Sequence, residues 1–181
     1  MLSKSRIWGT EPHERLLDFP CDGFIEVFDE AYYRGITIQS KPEIIFRWLC
    51  QMRVAPYSYD WIDNFGRRSP RKLTPGLDNL AVGQTVMTIF ELVDFKRNRH
   101  VTIRIKKDIF ALKFFGDTGV SYLIIPQSDG KCRLIVKLLV RYPQGILGVL
   151  MRLILPWGDL IMMRRQLINF KELSEMGNAS S

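Results

Sequence analysis

Apolar side chains recur at two different spacings along this chain. Over most of residues 31–140 they favour alternate positions, bounded by Gly, Pro and polar residues, which is typical of β-strands. The alternation predicts strands at 31–39, 84–93, 100–105, 109–115, 120–125 and 131–140. Short polar connections separate the last five, so we expect them to lie antiparallel in a single sheet.

Two short helices are predicted between the first two strands. Ser40 has the character of an N-cap for the first, Glu43 of its capping-box partner, and Pro42 lies in the first turn. The apolar stripe of this helix consists of Ile45, Trp48, Leu49 and Met52. Pro56 ends the helix, and a second, shorter one is predicted over residues 59–64.

Helical spacing takes over in the last part of the chain. A helix is predicted at 146–155, and Pro156 with Gly158 is expected to kink it or restart it as a second segment at 157–173. The apolar stripe expected for that second segment consists of Trp157, Leu160, Ile161, Leu167 and Ile168.

Residues 145–163 are long and apolar enough to be tested as a membrane span. Arg152, Pro156 and Asp159 interrupt the stretch. A charge at the bilayer centre costs about 2.5–3.5 kcal/mol, and here two charges accompany a helix breaker. The sequence therefore favours a buried amphipathic helix pair over a span.

The most informative turn is Asp129-Gly130, a strong signal for a two-residue hairpin. Counted back from this turn, the predicted cross-strand pairs are Ile125 with Leu134, Leu123 with Val136, and Ser121 with Leu138. In this register one face of the sheet is almost wholly apolar and the other is mixed.

The mixed face carries Arg133, Lys137 and Arg141, which we expect to be solvated or packed under the N-terminal residues. A turn of three residues would instead swing these cations inward, where they become candidate partners for an anionic ligand head. The length of the turn decides between the two arrangements.

These elements predict an α+β domain. A curved antiparallel sheet with a dry face buries that face by wrapping around the long C-terminal helix. We expect an irregular leader at 1–30 that packs on the domain, the domain itself at 31–175, and a disordered tail at 176–181.

Length and cysteine content narrow the class of protein. The 181 residues fit one domain, and the aromatic content of 12% supplies bulky side chains for a core or a cavity. The three cysteines, Cys21, Cys50 and Cys132, are scattered and odd in number, which favours a reducing compartment. Residues 1–8 have no apolar core of a secretory signal, so we expect a cytoplasmic protein.

The formal net charge of +7 favours contact with anionic partners, as a non-specific tendency. The basic residues cluster in predicted loops and on helix surfaces, where solvation accounts for them. No recognised nucleic-acid module accompanies them, so we expect no specific nucleic-acid binding and at most weak peripheral contact with anionic surfaces.

Several ordered motifs between residues 7 and 173 resemble the SRPBCC or START-like superfamily of polyketide cyclases and lipid-transfer proteins, in a branch of uncharacterised bacterial members. The motifs lie at 8–10, 20–22, 40–43, 48–52, 57–64, 73–75, 80–84, 132–134 and 162–165. The resemblance implies the helix-grip fold and an interior cavity between sheet and C-terminal helix. The chain departs from the branch at residues 53–56, Gly76 and Gln84, so no polar role is carried over there.

Catalytic and metal-binding patterns are weak in this sequence. His13 and His100 have the surroundings of surface residues, and no His, Cys or acid cluster has the spacing of metal ligands. Asp60 and Asp63 could share a helix face, but the favoured interpretation is that Asp60 caps a backbone or pairs with an arginine such as Arg53, and that Asp63 is solvated. We therefore expect no cofactor, and the sequence favours a binding protein over an enzyme.

The function predicted is the binding of an apolar small molecule, such as a lipid, isoprenoid or polyketide-like compound. Tyr57, Tyr59 and Trp61 could form the mouth of the cavity or could anchor the short helix to the sheet. The remaining cavity candidates are Ser121, Leu123, Val136, Leu138, Met151, Leu160, Met163 and Leu167. The alternatives are a cyclase- or hydrolase-like enzyme that uses the same cavity, and salt-sensitive docking to an anionic membrane or nucleic acid.

Overall fold

A computed structural model describes residues 4–63, 66, 68–107 and 110–178. Its seven strands are β1 (Ile7–Trp8), β2 (Glu30–Ile38), β3 (Thr85–Val86), β4 (Phe90–Lys96), β5 (His100–Ile105), β6 (Asp117–Pro126) and β7 (Cys132–Arg141). Its α-helices are α1 (Pro42–Cys50), α2 (Asp60–Asp63), α3 (Phe110–Phe115) and α4 (Ile146–Asn178). Short 3-10 turns add His13–Leu16, Pro20–Gly23 and Gln51–Arg53.

The strands form one seven-stranded sheet in the order β1-β2-β7-β6-β5-β4-β3. All neighbouring pairs are antiparallel except β1 with β2. The α+β class and the sheet packed against a long C-terminal helix are thus confirmed. The predicted strands at 31–39, 100–105, 120–125 and 131–140 correspond to β2, β5, β6 and β7.

Two of the strand predictions are wrong. Residues 109–115 were expected as a strand, but Phe110–Phe115 is a helix, and residue 109 lies outside the described residues. A short apolar run without clear alternation fits either element. The strand expected at 84–93 is divided into β3 and β4, because Met87 and Thr88 adopt positive φ values of 45° and 66° and reverse the chain.

The hairpin between β6 and β7 has a three-residue turn, so the predicted register is wrong by one residue. Gln127 N–H donates to the Lys131 carbonyl at 2.8 Å, and Gly130 has φ 74°. A type I turn followed by a left-handed glycine is the usual way to close such a loop. Ser121 therefore pairs with Lys137, and Leu123 with Ile135. Ser121 and Leu123 therefore lie on the face of the sheet opposite to the one predicted for them.

The two faces of the sheet are covered by different parts of the chain. The helix face, which packs on α1 and α4, carries Val120, Tyr122, Ile124, Leu134, Val136 and Leu138. The leader face carries Ile135 and Leu139, on which Phe19, Cys21 and Ile25 of the leader pack. Both faces are therefore covered, and the leader face is mixed in composition because it also carries Arg133 and Lys137.

The cations of β7 lie on the leader face rather than against α4. Arg133 donates to both carboxylate oxygens of Glu14, at 2.6 and 2.7 Å. Lys137 donates to Asp22 at 2.6 Å. Arg141 lies exposed at the end of β7. The longer turn does not bring these residues toward a cavity, and packing under the leader is the arrangement found for Arg133 and Lys137.

The start of α1 differs from its prediction, although its apolar stripe is confirmed. Lys41 occupies the N-cap position, without a side-chain hydrogen bond to the helix. Ser40 is instead buried, and its hydroxyl donates to the Ser174 carbonyl on α4 at 3.1 Å. The four stripe residues Ile45, Trp48, Leu49 and Met52 are all buried.

The C-terminal helix α4 runs for 33 residues and contains Pro156, so the predicted restart at that proline is wrong. In its second half Met163, Leu167, Phe170 and Leu173 are buried against the helix face of the sheet. In its first half, 146–162, Gly148 and Pro156 are the buried residues. Trp157 and Ile161, which were predicted for the buried stripe, are 55% and 54% exposed.

By length and composition α4 could cross a membrane between Ile146 and Met176. Its second half is nevertheless part of the domain core.

The helix continues through residues 176–178 of the predicted tail, and residues 179–181 lie outside the described residues. All three cysteines are buried free thiols: Cys21 in the leader, Cys50 at the end of α1 and Cys132 at the start of β7.

Candidate functional site

A cleft of about 590 Å³ separates the first half of α4 from the helix face of the sheet. We call it the apolar cleft. It is lined by Ile89, Phe90, Ile105, Thr118, Leu138, Met151, Ile154, Leu155, Gly158, Asp159, Ile161 and Met162. Apart from Thr118 and Asp159, these side chains are apolar, as expected for a site that accepts an apolar molecule.

Beneath the second half of α4, buried side chains of the helix fill the interface with the sheet. The Tyr122 hydroxyl donates to Gln166 Oε1 at 2.9 Å, and Gln166 Nε2 donates to the Pro56 carbonyl at 2.6 Å. Asn169 Nδ2 donates to the Tyr57 carbonyl at 2.7 Å. These bonds tie the second half of α4 to the sheet and to the segment around Pro56.

Asp159 is a charged residue in the wall of the apolar cleft, and it forms an ion pair with Arg34 of β2. Arg34 Nη2 lies 2.7 Å from Asp159 Oδ2, and the two side chains are 1% and 8% exposed. Arg34 also donates to the Ser5 and Tyr33 carbonyls, at 2.8 and 3.0 Å. The pair is thus held by a network of hydrogen bonds, as buried ions require.

Burial shifts both members of this pair toward their neutral forms. Loss of water raises the pKa of Asp159 to about 6, and the attraction of Arg34 offsets part of that shift. The pKa of Arg34 is lowered for the same reason, although Asp159 opposes the change. An aspartate that titrates near neutral pH beside a cleft is unusual and is associated with functional sites.

Thr118 of β6 presents a second polar group at the cleft. Its side chain is 5% exposed, and within the described residues its hydroxyl has no hydrogen-bond partner. A buried hydroxyl without a partner costs about 1–3 kcal/mol, so it requires an explanation. A polar atom of a bound molecule would satisfy it.

Another cleft, of about 910 Å³, lies at the start of α4 and is larger but more polar. Its charged lining residues are Asp29, Lys107, Asp117, Arg141 and Arg152. Arg104 pairs with Asp117, and Arg152 pairs with Asp29 at 2.7 Å, so part of this charge is already neutralised. Size alone therefore does not single out the candidate site, and the composition of the apolar cleft favours it for an apolar ligand.

Two of the predicted cavity residues, Leu138 and Met151, line the apolar cleft. Val136, Met163 and Leu167 belong to the core beneath α4, and Leu160 is half-buried on that helix. Ser121 and Leu123 lie on the leader face, where Ser121 Oγ accepts from the Cys21 backbone N–H at 2.8 Å. The register error explains the last two placements.

The three aromatic residues near α2 are separated from the apolar cleft. Tyr57 is buried between Trp48 and Phe170, with ring centroids 6.0 and 5.5 Å away. Tyr59 is half-buried beside Ile161, in a small depression next to α4. Trp61 is 76% exposed. Tyr57 thus anchors this segment to the core, and none of the three lines the apolar cleft.

The sequence-based reasoning passed over Arg34, Thr118 and the cleft residues of β4 and β5. Asp159 was noted as an interruption of an apolar stretch and not as a site residue. A charge in such a stretch is itself a signal, because a buried charge needs a partner. The sequence contains no comparable signal for Thr118, whose neighbours in space lie on other elements.

Other groups with catalytic potential lie elsewhere or are engaged. His13 is exposed, and His100 pairs with Asp94 at 2.9 Å. Asp60 accepts a hydrogen bond from the Ser69 backbone N–H at 2.9 Å, which agrees with the capping role, and the Asp63 side chain is not among those described. Among the residues that the structure describes, no group of three His, Cys, Asp or Glu side chains could hold a metal ion.

With the sheet, α4 and the cleft established, the chain can be compared with known proteins. No family model matches the sequence, and no curated protein matches it. Among solved structures, a hypothetical protein from Helicobacter pylori superposes with a TM-score of 0.56 at 11% identity, over 87% of this chain and 95% of that one. At this identity the likeness shows a shared fold alone.

The fold is the helix-grip fold. Two further solved structures superpose with lower TM-scores. Norcoclaurine synthase from Thalictrum flavum, a point mutant in complex with a transition-state analogue, has a TM-score of 0.48 at 9% identity, over 82% of this chain and 96% of that one. An HSP90 activator from Plasmodium falciparum has a TM-score of 0.47 at 13% identity, over 77% and 96%. A sheet packed against a long C-terminal helix is the architecture that the resemblance drawn from the sequence implies, and the structure has it.

Proposed function

We propose that this helix-grip protein binds an apolar small molecule with one polar end in the apolar cleft. The observation that supports the proposal is the position of the Thr118 hydroxyl, which has no partner among the described residues, in a wall that is apolar apart from Asp159. The volume of about 590 Å³ falls within the range of small-molecule sites. A lipid, an isoprenoid or a polyketide-like compound has the required chemistry.

The energetics favour a ligand that is mostly hydrocarbon. Burial of apolar surface stabilises a complex by about 25 cal/mol per Å², so the wall formed by residues such as Phe90, Leu138 and Met151 supplies most of the affinity. A hydroxyl or carbonyl group at the polar end can form a hydrogen bond with the Thr118 hydroxyl. The carboxyl group of Asp159 is the second polar group that such an end can meet.

Displacement of a fluorescent fatty acid by long-chain compounds tests whether the cleft binds them. We expect Gly158→Phe to abolish binding, because Gly158 lines the cleft and a side chain added there meets open space. Gly158→Ala is the matched control, since it changes the same position but leaves room for a ligand. Equal affinity in both variants, or no binding by the wild type, would contradict the proposal.

A substitution of Thr118 tests the hydrogen bond proposed for the polar end of the ligand. Thr118→Val removes the hydroxyl but keeps the shape of the side chain. We expect it to weaken the binding of a long-chain alcohol by about threefold to tenfold and to leave an alkane of equal length unaffected. A loss that is equal for both compounds would show that Thr118 acts through packing and not through its hydroxyl.

The raised pKa of Asp159 supports a second candidate, a cyclase- or hydrolase-like enzyme that uses the same cleft. A carboxyl group with a pKa of about 6 can exchange a proton near neutral pH. Hydrolysis of nitrophenyl alkanoates with a pH midpoint near that value, lost in Asp159→Asn while fatty-acid binding persists, would support it. No turnover above that of buffer would leave binding as the function.

A further inference from the structure

The first half of α4 exposes a continuous apolar surface to solvent. We call this surface the exposed helix face. It consists of Ile146, Val149, Leu150, Leu153, Ile154, Trp157 and Ile161. These residues follow one another at three- and four-residue steps over four turns, so they form one stripe. Ile146 is 90% exposed and Leu153 is 69% exposed. Such patches on soluble domains mark sites of interaction.

The geometry of α4 favours a helix that lies on a membrane over one that crosses it. From Ile146 to Ile161 the helix rises about 22 Å, which is less than the apolar thickness of a bilayer of about 30 Å. Beyond that point Leu167 and Phe170 are fully buried in the domain core. Crossing would require this core to come apart, whereas lying flat on the surface keeps it intact.

Basic residues border the exposed helix face at both ends. Arg164 and Arg165 are exposed one turn beyond Ile161, on the same side of the helix. Near the other end Lys107 and Arg141 are exposed and line the polar cleft at the start of α4. An apolar stripe with cations at its margins is the pattern of helices that lie at a lipid interface.

The basic residues at both ends of the exposed helix face favour an anionic bilayer over a second copy of the chain as the partner of this face. Two copies docked through the exposed helix face would bring bordering arginines near one another, and like charges at an interface are unfavourable. Anionic headgroups pair with the same cations. The formal net charge of +7 adds attraction to such a surface.

The exposed helix face is continuous with the apolar cleft, because Ile154 and Ile161 belong to both. We propose that the first half of α4 docks on an anionic lipid bilayer, with its apolar side chains among the acyl chains and its cleft open to them. Docking in this position lets a lipid-like ligand pass between membrane and cleft without crossing water. The docking does not depend on the proposed ligand binding, and the two can be tested separately.

Flotation with vesicles of phosphatidylcholine, with and without phosphatidylglycerol, tests the docking. We expect the full chain to float with the mixed vesicles and Leu153→Glu to reduce the bound fraction by about tenfold. Leu16→Glu is the matched control, since Leu16 is 85% exposed on the leader, which packs on the opposite face of the sheet. Equal binding by both variants, or no binding by the wild type, would overturn the proposal.

Trp157 provides an independent signal from within the exposed helix face. Its indole is 55% exposed, and we expect its emission to shift to shorter wavelength when vesicles are added. Trp157→Phe should float normally but lose the shift. A shift that persists in that variant would place the contact elsewhere on the protein and overturn the proposal.

Two more outcomes separate the alternatives. A stable dimer without lipid that Leu153→Glu converts to monomer would show that a second copy covers the face, and the proposal would fail. Gly158→Phe should still float even though its cleft is filled. If it floats while no long-chain compound binds the wild type, the docking stands and the ligand proposal falls.

Discussion

A single carboxyl group shows how burial and pairing oppose each other in this molecule. Asp159 lies against Arg34, yet the loss of water outweighs the attraction, and the pKa of Asp159 rises from 3.8 to about 6. An ion pair of this kind is not a source of stability at neutral pH, because each charge had to be removed from water. Its position in the cleft wall gives a more direct reason for its presence.

The titration of Asp159 predicts a pH dependence of stability. Because the folded protein holds this proton more tightly than the unfolded chain, the contribution of the carboxyl group is full below about pH 4 and is lost as the pH rises through about 6. Asn at this position does not titrate. We therefore expect the unfolding free energy of the wild type, relative to Asp159→Asn, to fall by about 2 kcal/mol between pH 4 and pH 7.

Urea unfolding of both proteins across this pH range measures the difference. Parallel pH profiles would show that Asp159 titrates at its ordinary value in the folded state. A profile in which the wild type gains stability with rising pH would show that Arg34 dominates over burial.

Within the single element α4, two glycines differ in the space around them: Gly148 has no room for a side chain, whereas Gly158 does. A Cβ atom built on Gly148 lies 1.9 Å from the Pro143 carbonyl oxygen, whereas one built on Gly158 has no atom within 4 Å. The first glycine permits a close approach of the chain at the start of the helix. The second serves no packing purpose, and in a helix it costs about 1 kcal/mol relative to Ala.

We therefore expect the same substitution to have opposite effects at the two positions. Gly158→Ala should raise the unfolding free energy by about 0.5–1 kcal/mol, and Gly148→Ala should lower it by about 1–3 kcal/mol. Thermal or urea unfolding measures both. If Gly148→Ala is as stable as the wild type, the backbone contact at Pro143 yields at little cost.

How far these elements could be predicted depends on where their signals lie. The stripe of α1 and the strand β5 were predicted closely because the decisive residues are close in sequence. The turn at Gly130 was misread because Asp-Gly fits turns of two or three residues, and one residue of error moved Ser121 and Leu123 to the other face. The prediction that Ser40 caps α1 was wrong because the Ser40 hydroxyl donates to the carbonyl of Ser174, more than a hundred residues away.

The candidate site was predicted less well than the fold. Leu138 and Met151 were predicted because the cleft lies where sheet meets C-terminal helix. The aromatic residues near α2 were drawn into the core or to the surface by contacts that no local pattern specifies. A cleft forms where packing is incomplete, and incomplete packing depends on the whole arrangement of elements.

At the scale of the whole molecule, the leader is a structural layer of the domain. Phe19 is 3% exposed, packs on the leader face and lies 6.2 Å from the ring of Tyr33. The Lys137 ammonium group lies 5.3 Å from the Phe19 ring. Without this layer Ile135 and Leu139 of the central strand β7 would face water, and water-exposed apolar strands promote aggregation.

A pair of substitutions in the leader tests its role. We expect Phe19→Ala to lower the unfolding free energy by about 3–5 kcal/mol, since it removes a buried ring from a packed layer. Leu16→Ala should change it by less than about 0.5 kcal/mol, because Leu16 is largely exposed. Equal, small effects in urea unfolding would show that the leader is only loosely attached to the sheet.

The three buried cysteines make the local opening of the leader, of α1 and of β7 measurable. Burial raises the pKa of the Cys21 thiol to about 11 and that of Cys50 to about 12, so neither forms a reactive thiolate in the closed protein. An alkylating reagent can therefore modify each thiol only as fast as its surroundings open. Labelling of Cys21 reports detachment of the leader, while Cys50 and Cys132 report opening at α1 and at the edge of the hairpin. The order in which the three sites react thus ranks the local stability of three regions in one unaltered molecule.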